Sequence, residues 1–470
     1  MTRFAPVTPE TLTRLRDLLG EESLLTDSVA LSAYGVDETE DVDFRPEAVA
    51  LPETVDQVSA ILRFAAESRF PVTPRGGGTG LSGGALPVFG GISLSLERMD
   101  RIRFLDPANL MIEVEAGLIT GNLKEAVEEQ GLFYPPDPAS HDSCQIGGNI
   151  AEDAAGPRSC KYGTTRNWTL GLEAVLPTGA VIRTGGATRK NAAGYNLTQL
   201  LVGSEGTLAI VTAALLKLMH LPCLRISLAA PFSSLQRAAE AVSRLFVAGV
   251  DPASCELMEA RALELVSRLV AVPDQLEDAA AVLLLELDGD EEEALLERAG
   301  RAAKIFEELE DVEVIVAQEA GDQRRLWEMR EKIAVAVREY SVYKEADTVV
   351  PRSELANLVE RSRRVAEQHQ LEAVCYGHAG DGNLHINLLR GELDETTWQT
   401  SRDAAEADLF AWVTSVGGSV TGEHGIGWSQ RRYLPLAAQP ASIDLMRSLK
   451  AAFDPAGILN PGKIFLDPGA

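Results

Sequence analysis

The segment Arg75–Gly84 has the sequence RGGGTGLSGG, and it is the most glycine-dense part of the chain. Glycine permits positive φ, so several backbone N–H groups can turn toward one anion. Thr79 and Ser82 add hydroxyl donors. A short strand is predicted at residues 71–74 and an alternating strand at 92–96. A flexible surface loop is the alternative. However, glycine loses much backbone entropy when it is ordered, so many glycines between two strands lower stability unless they have a structural or binding role. The segment therefore predicts a phosphate-binding loop.

Two common phosphate-binding motifs do not describe this loop. No Gly-Lys-Ser/Thr ending closes it, so it is not a Walker A loop. The pattern Gly76-x-Gly78-x-x-Leu81 lacks the third glycine of the dinucleotide fingerprint, and no parallel βαβ pattern follows.

Three more loop-rich segments follow in a fixed order: PPDPAS at 135–140, IGGNIAEDAAG at 146–156 and KNAAGYNLTQLLVGSEGTLAIVT at 190–212. Together with the first loop they resemble the FAD-binding domain of the vanillyl-alcohol oxidase and p-cresol methylhydroxylase (PCMH) superfamily. Within that superfamily, the resemblance is closer to the branch that contains the FAD subunit of glycolate oxidase, D-lactate dehydrogenases and D-2-hydroxyglutarate dehydrogenase. It covers nearly the whole chain.

An α+β fold is expected, with a PCMH-type FAD-binding domain at 1–220. Near residue 220 the pattern changes, and helices at 233–248, 290–309 and 353–369 alternate with strands. This predicts a substrate (cap) domain at 221–415, of the FAD-linked oxidase C-terminal type, with an antiparallel sheet and flanking helices. The segment 416–470 is expected to return to the FAD domain and complete the active site.

The resemblance also implies the residues that hold FAD. The first loop would bind the pyrophosphate, the second and third would lie along the flavin, and the fourth would lie toward the ADP part, with the C-terminal asparagine near the isoalloxazine. Because the first loop has no histidine and His141 is interpreted as a solvated loop residue, the FAD is predicted to be non-covalent. The predicted cofactor residues are Arg75, Gly76, Gly77, Gly78, Thr79, Gly80, Ser82, Gly83, Pro138, Ser140, Gly147, Gly148, Asn149, Glu205, Gly206, Ile210 and Asn460.

A histidine cluster predicts a divalent metal site. His378 and His385 flank the turn Ala379-Gly380-Asp381-Gly382, which lies between strand-like segments and can direct two imidazoles toward one point. Two imidazoles and a carboxylate make a common open metal site. The resemblance assigns ligation of zinc, manganese or a similar ion to His378, His385 and Glu423, and the general base to His424. A purely structural role for the histidines is the alternative.

A buried arginine predicts a carboxylate clamp. The segment 321–340 is expected to be one helix, and Arg330 lies on its apolar stripe. A charge on a buried face needs a partner, which is either an internal Asp or Glu or the substrate carboxylate. The resemblance favours the substrate, and it adds Lys344 and Asn387 as further contacts. Ala334 stands where D-2-hydroxyglutarate dehydrogenases have a threonine, which favours a small monocarboxylate.

These features predict an FAD-dependent dehydrogenase that oxidises a small D-2-hydroxy acid, D-lactate or glycolate, to the 2-oxo acid. The substrate hydride would pass to flavin N5. The alternatives are a D-2-hydroxyglutarate dehydrogenase, a non-catalytic FAD electron-transfer subunit of a larger complex, and a metal-only hydrolase. The last would leave the glycine loops without a ligand, and the complete histidine and glutamate set argues against a non-catalytic subunit.

Composition limits the partners. The 470 residues are 45% hydrophobic and carry a net charge of −27, which argues against nucleic-acid and acidic-membrane binding. No apolar run approaches the ~20 residues of a membrane span, so a cytoplasmic protein is expected, with peripheral membrane association through a partner as an alternative. The five cysteines form no C-x-x-C motif. The electron acceptor is therefore expected to be an iron–sulfur subunit, an electron-transfer flavoprotein or a quinone. The oligomeric state is left open, a homodimer included.

Overall fold

The computed structural model describes residues 4–40, 42–310 and 312–466. The outer ends of the first and last predicted domains, residues 1–3 and 467–470, lie outside the described residues. The chain divides into two compact units. Unit 1 comprises the described residues within 1–155, 164–221 and 423–470, and unit 2 comprises those within 156–163 and 222–422. The assignment of 156–163 and 416–422 to unit 2 differs from the boundaries expected from the sequence.

The strands, in chain order, are β1 (Leu24–Leu25), β2 (Ala48–Ala50), β3 (Val72–Arg75), β4 (Ile92–Ser95), β5 (Ile102–Asp106), β6 (Met111–Glu115), β7 (Leu132–Phe133), β8 (Thr169–Val175), β9 (Val181–Gly185), β10 (Ile210–Lys217), β11 (Met219–His220), β12 (Leu224–Phe232), β13 (Ser254–Glu259), β14 (Ala281–Gly289), β15 (Ile315–Ala317), β16 (Tyr343–Val349), β17 (Glu372–Gly377) and β18 (Asn383–Leu389).

The α-helices are α1 (Pro9–Leu19), α2 (Ser28–Ala33), α3 (Val55–Ser68), α4 (Thr120–Glu128), α5 (Ile146–Glu152), α6 (Ser159–Tyr162), α7 (Thr165–Trp168), α8 (Leu197–Leu201), α9 (Leu235–Val247), α10 (Ala260–Val266), α11 (Asp274–Glu277), α12 (Glu292–Leu309), α13 (Ala320–Glu331), α14 (Ile333–Tyr340), α15 (Leu355–Gln368), α16 (Glu395–Ser415), α17 (Leu434–Ala437) and α18 (Pro440–Phe453). None of the described helices is both long and apolar enough to cross a membrane.

Unit 1 contains a four-stranded sheet in the order β1-β2-β4-β3, a five-stranded sheet in the order β5-β6-β10-β8-β9, and the short pair β11-β7. Helix α3 begins after its N-cap Thr54, whose Oγ1 accepts a hydrogen bond from the Gln57 amide at 3.3 Å. Its apolar face, including Ile61 and Leu62, packs into the same buried cluster as Ile92 of β4. This core supports the end of β3, where the glycine loop starts.

The glycine loop joins β3 to β4, and these two strands are parallel. No helix lies in this connection, as the absence of a βαβ pattern in the sequence predicted. The C-terminal segment returns to the same place. Val72 donates to the Ile458 carbonyl at 2.9 Å, and Asn460 donates to the Val72 carbonyl at 2.8 Å. The end of the chain is thereby fixed beside the loop.

Unit 2 is built on a seven-stranded sheet in the order β15-β12-β14-β13-β17-β18-β16, and all its pairings are antiparallel. The expected α+β class with an antiparallel sheet is confirmed. Side chains of α10, α13 and α14 share one buried cluster with Met258 and Tyr376 of the sheet. Glu259, on the other face of β13, is ion-paired with Arg363 of α15. Helices therefore cover both faces.

The segment predicted to be helical, 321–340, is helical except at Lys332 (φ −80°, ψ −7°), where the chain divides into α13 and α14. Its predicted apolar stripe is confirmed, since Leu326 and Met329 of α13 and Ile333 of α14 enter the same buried cluster. Ala334 lies beyond the break and is exposed. The exposed position of Ala334 gives no support to the expectation that this residue limits substrate length.

Candidate functional site

A cleft lies in unit 1, lined by the glycine loop and by the other loop-rich segments. Ser82 and Gly83 are not among the described lining residues, and the Ser82 carbonyl instead accepts from the Trp428 amide at 2.8 Å. His141 is also absent from the lining, and its side chain is 42% exposed. The predicted cofactor residues that do line the cleft are Arg75, Gly76, Gly77, Gly78, Thr79, Gly80, Pro138, Ser140, Gly147, Gly148, Asn149, Glu205, Gly206, Ile210 and Asn460.

The glycines of the cleft serve two different purposes. A Cβ on Gly77 would lie 2.4 Å from the Ser143 carbonyl oxygen, and one on Gly147 would lie 2.8 Å from Ala116 Cβ, so these glycines let backbone pack on backbone. Gly80 and Gly148 also line the cleft, but a Cβ on either would meet no protein atom within 4 Å. Their missing side chains leave room along the cleft wall, as a backbone cradle for an extended ligand requires. The lining therefore fits a dinucleotide.

Glu205 holds the loop that follows His424. Its carboxylate accepts from the amides of Ile426 at 2.9 Å and Gly427 at 2.6 Å, and its own backbone is in the left-handed region at φ 51°. Asn460 Nδ2 donates to the Glu205 carbonyl at 2.8 Å and to the Gly84 carbonyl at 3.1 Å. The family resemblance implied that Glu205 lies toward the ADP part of FAD, but the side chain binds the amides of Ile426 and Gly427.

Glu423 and His424 are the first residues of the loop whose amides bind Glu205, and both line the cleft of unit 1. The two side chains are about one-seventh exposed, and His424 Nε2 lies 4.0 Å from Glu423 Oε1. A partly buried imidazole at the wall of a cleft can exchange a proton with a bound substrate. The base predicted from the sequence is therefore in a suitable place within unit 1.

The turn after His424 gives a first testable prediction. Gly427 has φ +52°, and a Cβ there would lie 2.2 Å from the Ser82 carbonyl oxygen. Gly427→Ala should therefore displace the loop held by Glu205, lower the thermal unfolding midpoint and reduce the FAD retained after gel filtration. Gly457→Ala is the matched control, because φ is +66° but the space around it is open. It should carry only the backbone strain, about 1 kcal/mol. Equal effects of the two variants would contradict the prediction.

A buried glutamate in the cleft was missed by the sequence analysis. Glu152 lines the cleft, and within the described chain no group hydrogen-bonds to its buried Oε2. Burial, followed by the charge of Glu205, raises the pKa of the Glu152 carboxyl well above its usual range. Nearby, burial lowers the pKa of Lys463 to about 7. Glu152 stands in the quoted IGGNIAEDAAG segment, but only the fold shows that its side chain is buried.

In unit 2 the predicted turn between strands is a β-hairpin formed by β17 and β18. His378 and His385 lie at its two sides, with ring centroids 5.2 Å apart and planes nearly perpendicular. His378 Nδ1 lies 2.8 Å from Glu256 Oε1, and His385 Nδ1 lies 3.2 Å from Glu345 Oε1. The carboxylate bonded to Nδ1 of His378 leaves Nε2 of that ring as the metal-ligand atom. This donor set fits a divalent cation.

Arg330 has an internal carboxylate partner, which was one of the two alternatives left open by the sequence. Its Nε donates to Glu256 Oε2 at 2.7 Å, and its guanidinium lies 5.0 Å from the centroid of the Tyr376 ring. Although burial alone would raise the pKa of Glu256, the charges of His378 and Arg330 lower it to about 2. Because this bond is made by Nε, the geometry is compatible with bidentate binding of a substrate carboxylate by the two terminal nitrogens.

The remaining predicted substrate residues lie on different faces of the sheet. In the β16–β18 register, Glu345 pairs with Asn387, whereas Lys344 pairs with Leu388. Because side chains alternate along a strand, Glu345 shares a face with Asn387 and His385, and Lys344 lies on the other face. Asn387 is fully buried beside the Tyr376 hydroxyl, and its two amide atoms make no hydrogen bond of ordinary geometry with the described residues. Such a group is costly unless a ligand or water satisfies it.

Comparison with known proteins agrees with both units. A family model described as FAD linked oxidases, C-terminal domain, matches residues 221–464, and one described as FAD binding domain matches residues 46–185. A solved structure of p-cresol methylhydroxylase has the same fold, with a TM-score of 0.82 and 20% identity over 97% of this chain and 96% of the other. The predicted PCMH-type fold is confirmed.

Full-length relatives carry related names. The chain is 38% identical to the glycolate oxidase subunit GlcD of Bacillus subtilis, covering 98% of this chain and 97% of the relative. It is 32% identical to a D-lactate dehydrogenase of Anaerostipes hadrus, with 98% of each covered. It is 34% identical to a D-2-hydroxyglutarate dehydrogenase of Stutzerimonas stutzeri, covering 97% and 99%.

The family predicted from the four loop segments is confirmed: the chain belongs to the FAD-linked oxidases and is an FAD-linked oxidoreductase of the D-2-hydroxyacid dehydrogenase and glycolate oxidase type.

Proposed function

We propose that the protein oxidises a small D-2-hydroxy acid, D-lactate or glycolate, to the corresponding 2-oxo acid, with a divalent cation bound through His378 and His385. The observation that carries the proposal is that Glu256 holds both His378 and Arg330 in unit 2, while the His385 ring lies 5.2 Å from that of His378. Glu423 stays the predicted third ligand, on the resemblance alone.

The roles of the side chains follow from their chemistry. The guanidinium of Arg330 binds the substrate carboxylate through its terminal nitrogens, and the buried amide of Asn387 offers a donor and an acceptor to the bound acid. His424, which lines the cleft of unit 1, stays the predicted base that takes the proton of the substrate hydroxyl, on the resemblance. A divalent ion, when bound, supplies the Lewis acidity that makes this proton easier to remove. Bound FAD supplies the acceptor for the hydride of C2.

A glutamate in the unit 2 site favours a monocarboxylate. Glu345, not Lys344, shares the face of His385 and Asn387. A second carboxylate on the substrate would be repelled by this negative charge if it approached that face, whereas lactate and glycolate have no such group. The sequence interpretation of Lys344 as a substrate contact gains no support from the register.

The onward electron acceptor is proposed to be another protein, an iron–sulfur subunit or an electron-transfer flavoprotein, with a quinone as the alternative. One relative is named as a subunit of glycolate oxidase, which supports a protein acceptor.

Substrate choice can be tested by adding a panel of 2-hydroxy acids anaerobically to the FAD-loaded protein and following the loss of visible flavin absorbance. We expect D-lactate and glycolate to reduce the flavin faster than D-2-hydroxyglutarate, and D-lactate faster than L-lactate. Faster reduction by D-2-hydroxyglutarate would favour the alternative dehydrogenase and contradict the substrate assignment.

A further inference from the structure

Glu256 has a position that neither the cleft nor the histidine motif explains. It lies on β13, between β14 and β17 in the seven-stranded sheet, and its side chain has no exposed surface. The antiparallel register that pairs Leu257 with Gly377 continues to Glu256 opposite His378. A carboxylate at the centre of a sheet is desolvated, and apolar side chains of similar volume are often at least as stable there. Packing therefore gives no reason for its presence.

Each carboxylate oxygen of Glu256 has its own partner. Oε1 accepts from His378 Nδ1 at 2.8 Å, and Oε2 accepts from Arg330 Nε at 2.7 Å. The first bond fixes the tautomer and the plane of the imidazole, so that Nε2 carries the lone pair. The second bond, together with the Tyr376 ring 5.0 Å away, fixes the plane of the guanidinium.

We propose that Glu256 is a positioning residue that orients His378 toward a divalent cation and Arg330 toward the substrate carboxylate through one rigid carboxylate. This inference rests on the proposed function, since it assumes that His378 binds a metal and Arg330 binds the acid. It predicts that one substitution weakens both metal binding and substrate binding, although Glu256 touches neither ligand.

Glu256→Gln is the informative substitution. The amide has nearly the same shape but only one acceptor oxygen, so it can satisfy His378 or Arg330 but not both. We expect the affinity for Zn²⁺ and Mn²⁺, measured by competition with a chelator, to fall about 10- to 100-fold. KM for the hydroxy acid should rise, while the FAD content and the flavin spectrum stay unchanged.

Glu259→Gln is the matched control. Glu259 lies on the same strand, is equally buried and is also ion-paired with an arginine, but it projects from the opposite face, toward Arg363 and the Cys375 amide. It should share any general loss of stability without losing metal affinity. If Glu256→Gln does not fold, Glu256→Asp keeps the charge but is one methylene shorter, and it should lower metal affinity about tenfold.

Two results would overturn the inference, and they can be told apart. A wild-type protein that takes up no Zn²⁺ or Mn²⁺ would remove the metal from the proposed function and this inference with it. A wild type that binds the metal, with a folded Glu256 variant that binds it equally tightly and has the same KM, would overturn the inference alone.

Discussion

Replacement of His424 by alanine is expected to slow the reduction of bound FAD by substrate about 10²- to 10⁴-fold, because the substrate hydroxyl then has no positioned base. The side chain lines the cleft, while the next residues are held by Glu205 through the amides of Ile426 and Gly427. The loop should therefore keep its conformation in the variant. Rapid mixing of the FAD-loaded variant with substrate under anaerobic conditions measures the effect in a single turnover.

His141→Ala serves as the control for this substitution. His141 also belongs to unit 1, but it is half-exposed, lies beside Asp142 and is absent from the described lining of the cleft. It should bind FAD and reduce it at the wild-type rate. An unchanged single-turnover rate in the His424 variant would eliminate this residue as the base.

Removal of the divalent metal is the second change with a large expected effect. Treatment with a chelator, or His385→Ala, should lower turnover about 10²-fold or more, because Lewis acid stabilisation is worth several kcal/mol. Zn²⁺ or Mn²⁺ should restore the chelated wild type but not the variant. His369→Ala is the control, since His369 pairs with Asp408 at 2.8 Å outside the β17–β18 hairpin. Full activity of a rigorously metal-free preparation would exclude the metal from the reaction.

The sequence predicted the features that depend on local pattern. Six glycines in Arg75–Gly84 require a backbone-lined loop, and the turn at Ala379–Gly382 requires a hairpin that brings two histidines together. The order of the four loop segments was sufficient to identify the family.

The features that depend on strand register could not be predicted. Glu256 lies more than a hundred residues before His378, and only the β13–β17 pairing brings them together. Lys344 and Glu345 are neighbours in sequence, and which of them faces His385 is decided by the β16–β18 register. A shift of one residue exchanges the two faces of a strand, so a motif alone cannot decide between them.

The helical pattern of 321–340 is another feature that local spacing predicts, since its apolar residues are buried in one cluster. The interruption at Lys332, which divides the segment into α13 and α14, leaves no mark in that spacing and could not be predicted from it.

The most direct test of the proposed function is anaerobic addition of D-lactate, and separately of glycolate, to the purified FAD-loaded protein, with the visible flavin spectrum and the organic product measured together. We expect the flavin bands to bleach and one equivalent of pyruvate or glyoxylate to form for each flavin reduced. An oxidised flavin that stays unchanged with both acids, in protein that holds FAD and metal, would contradict the proposed function.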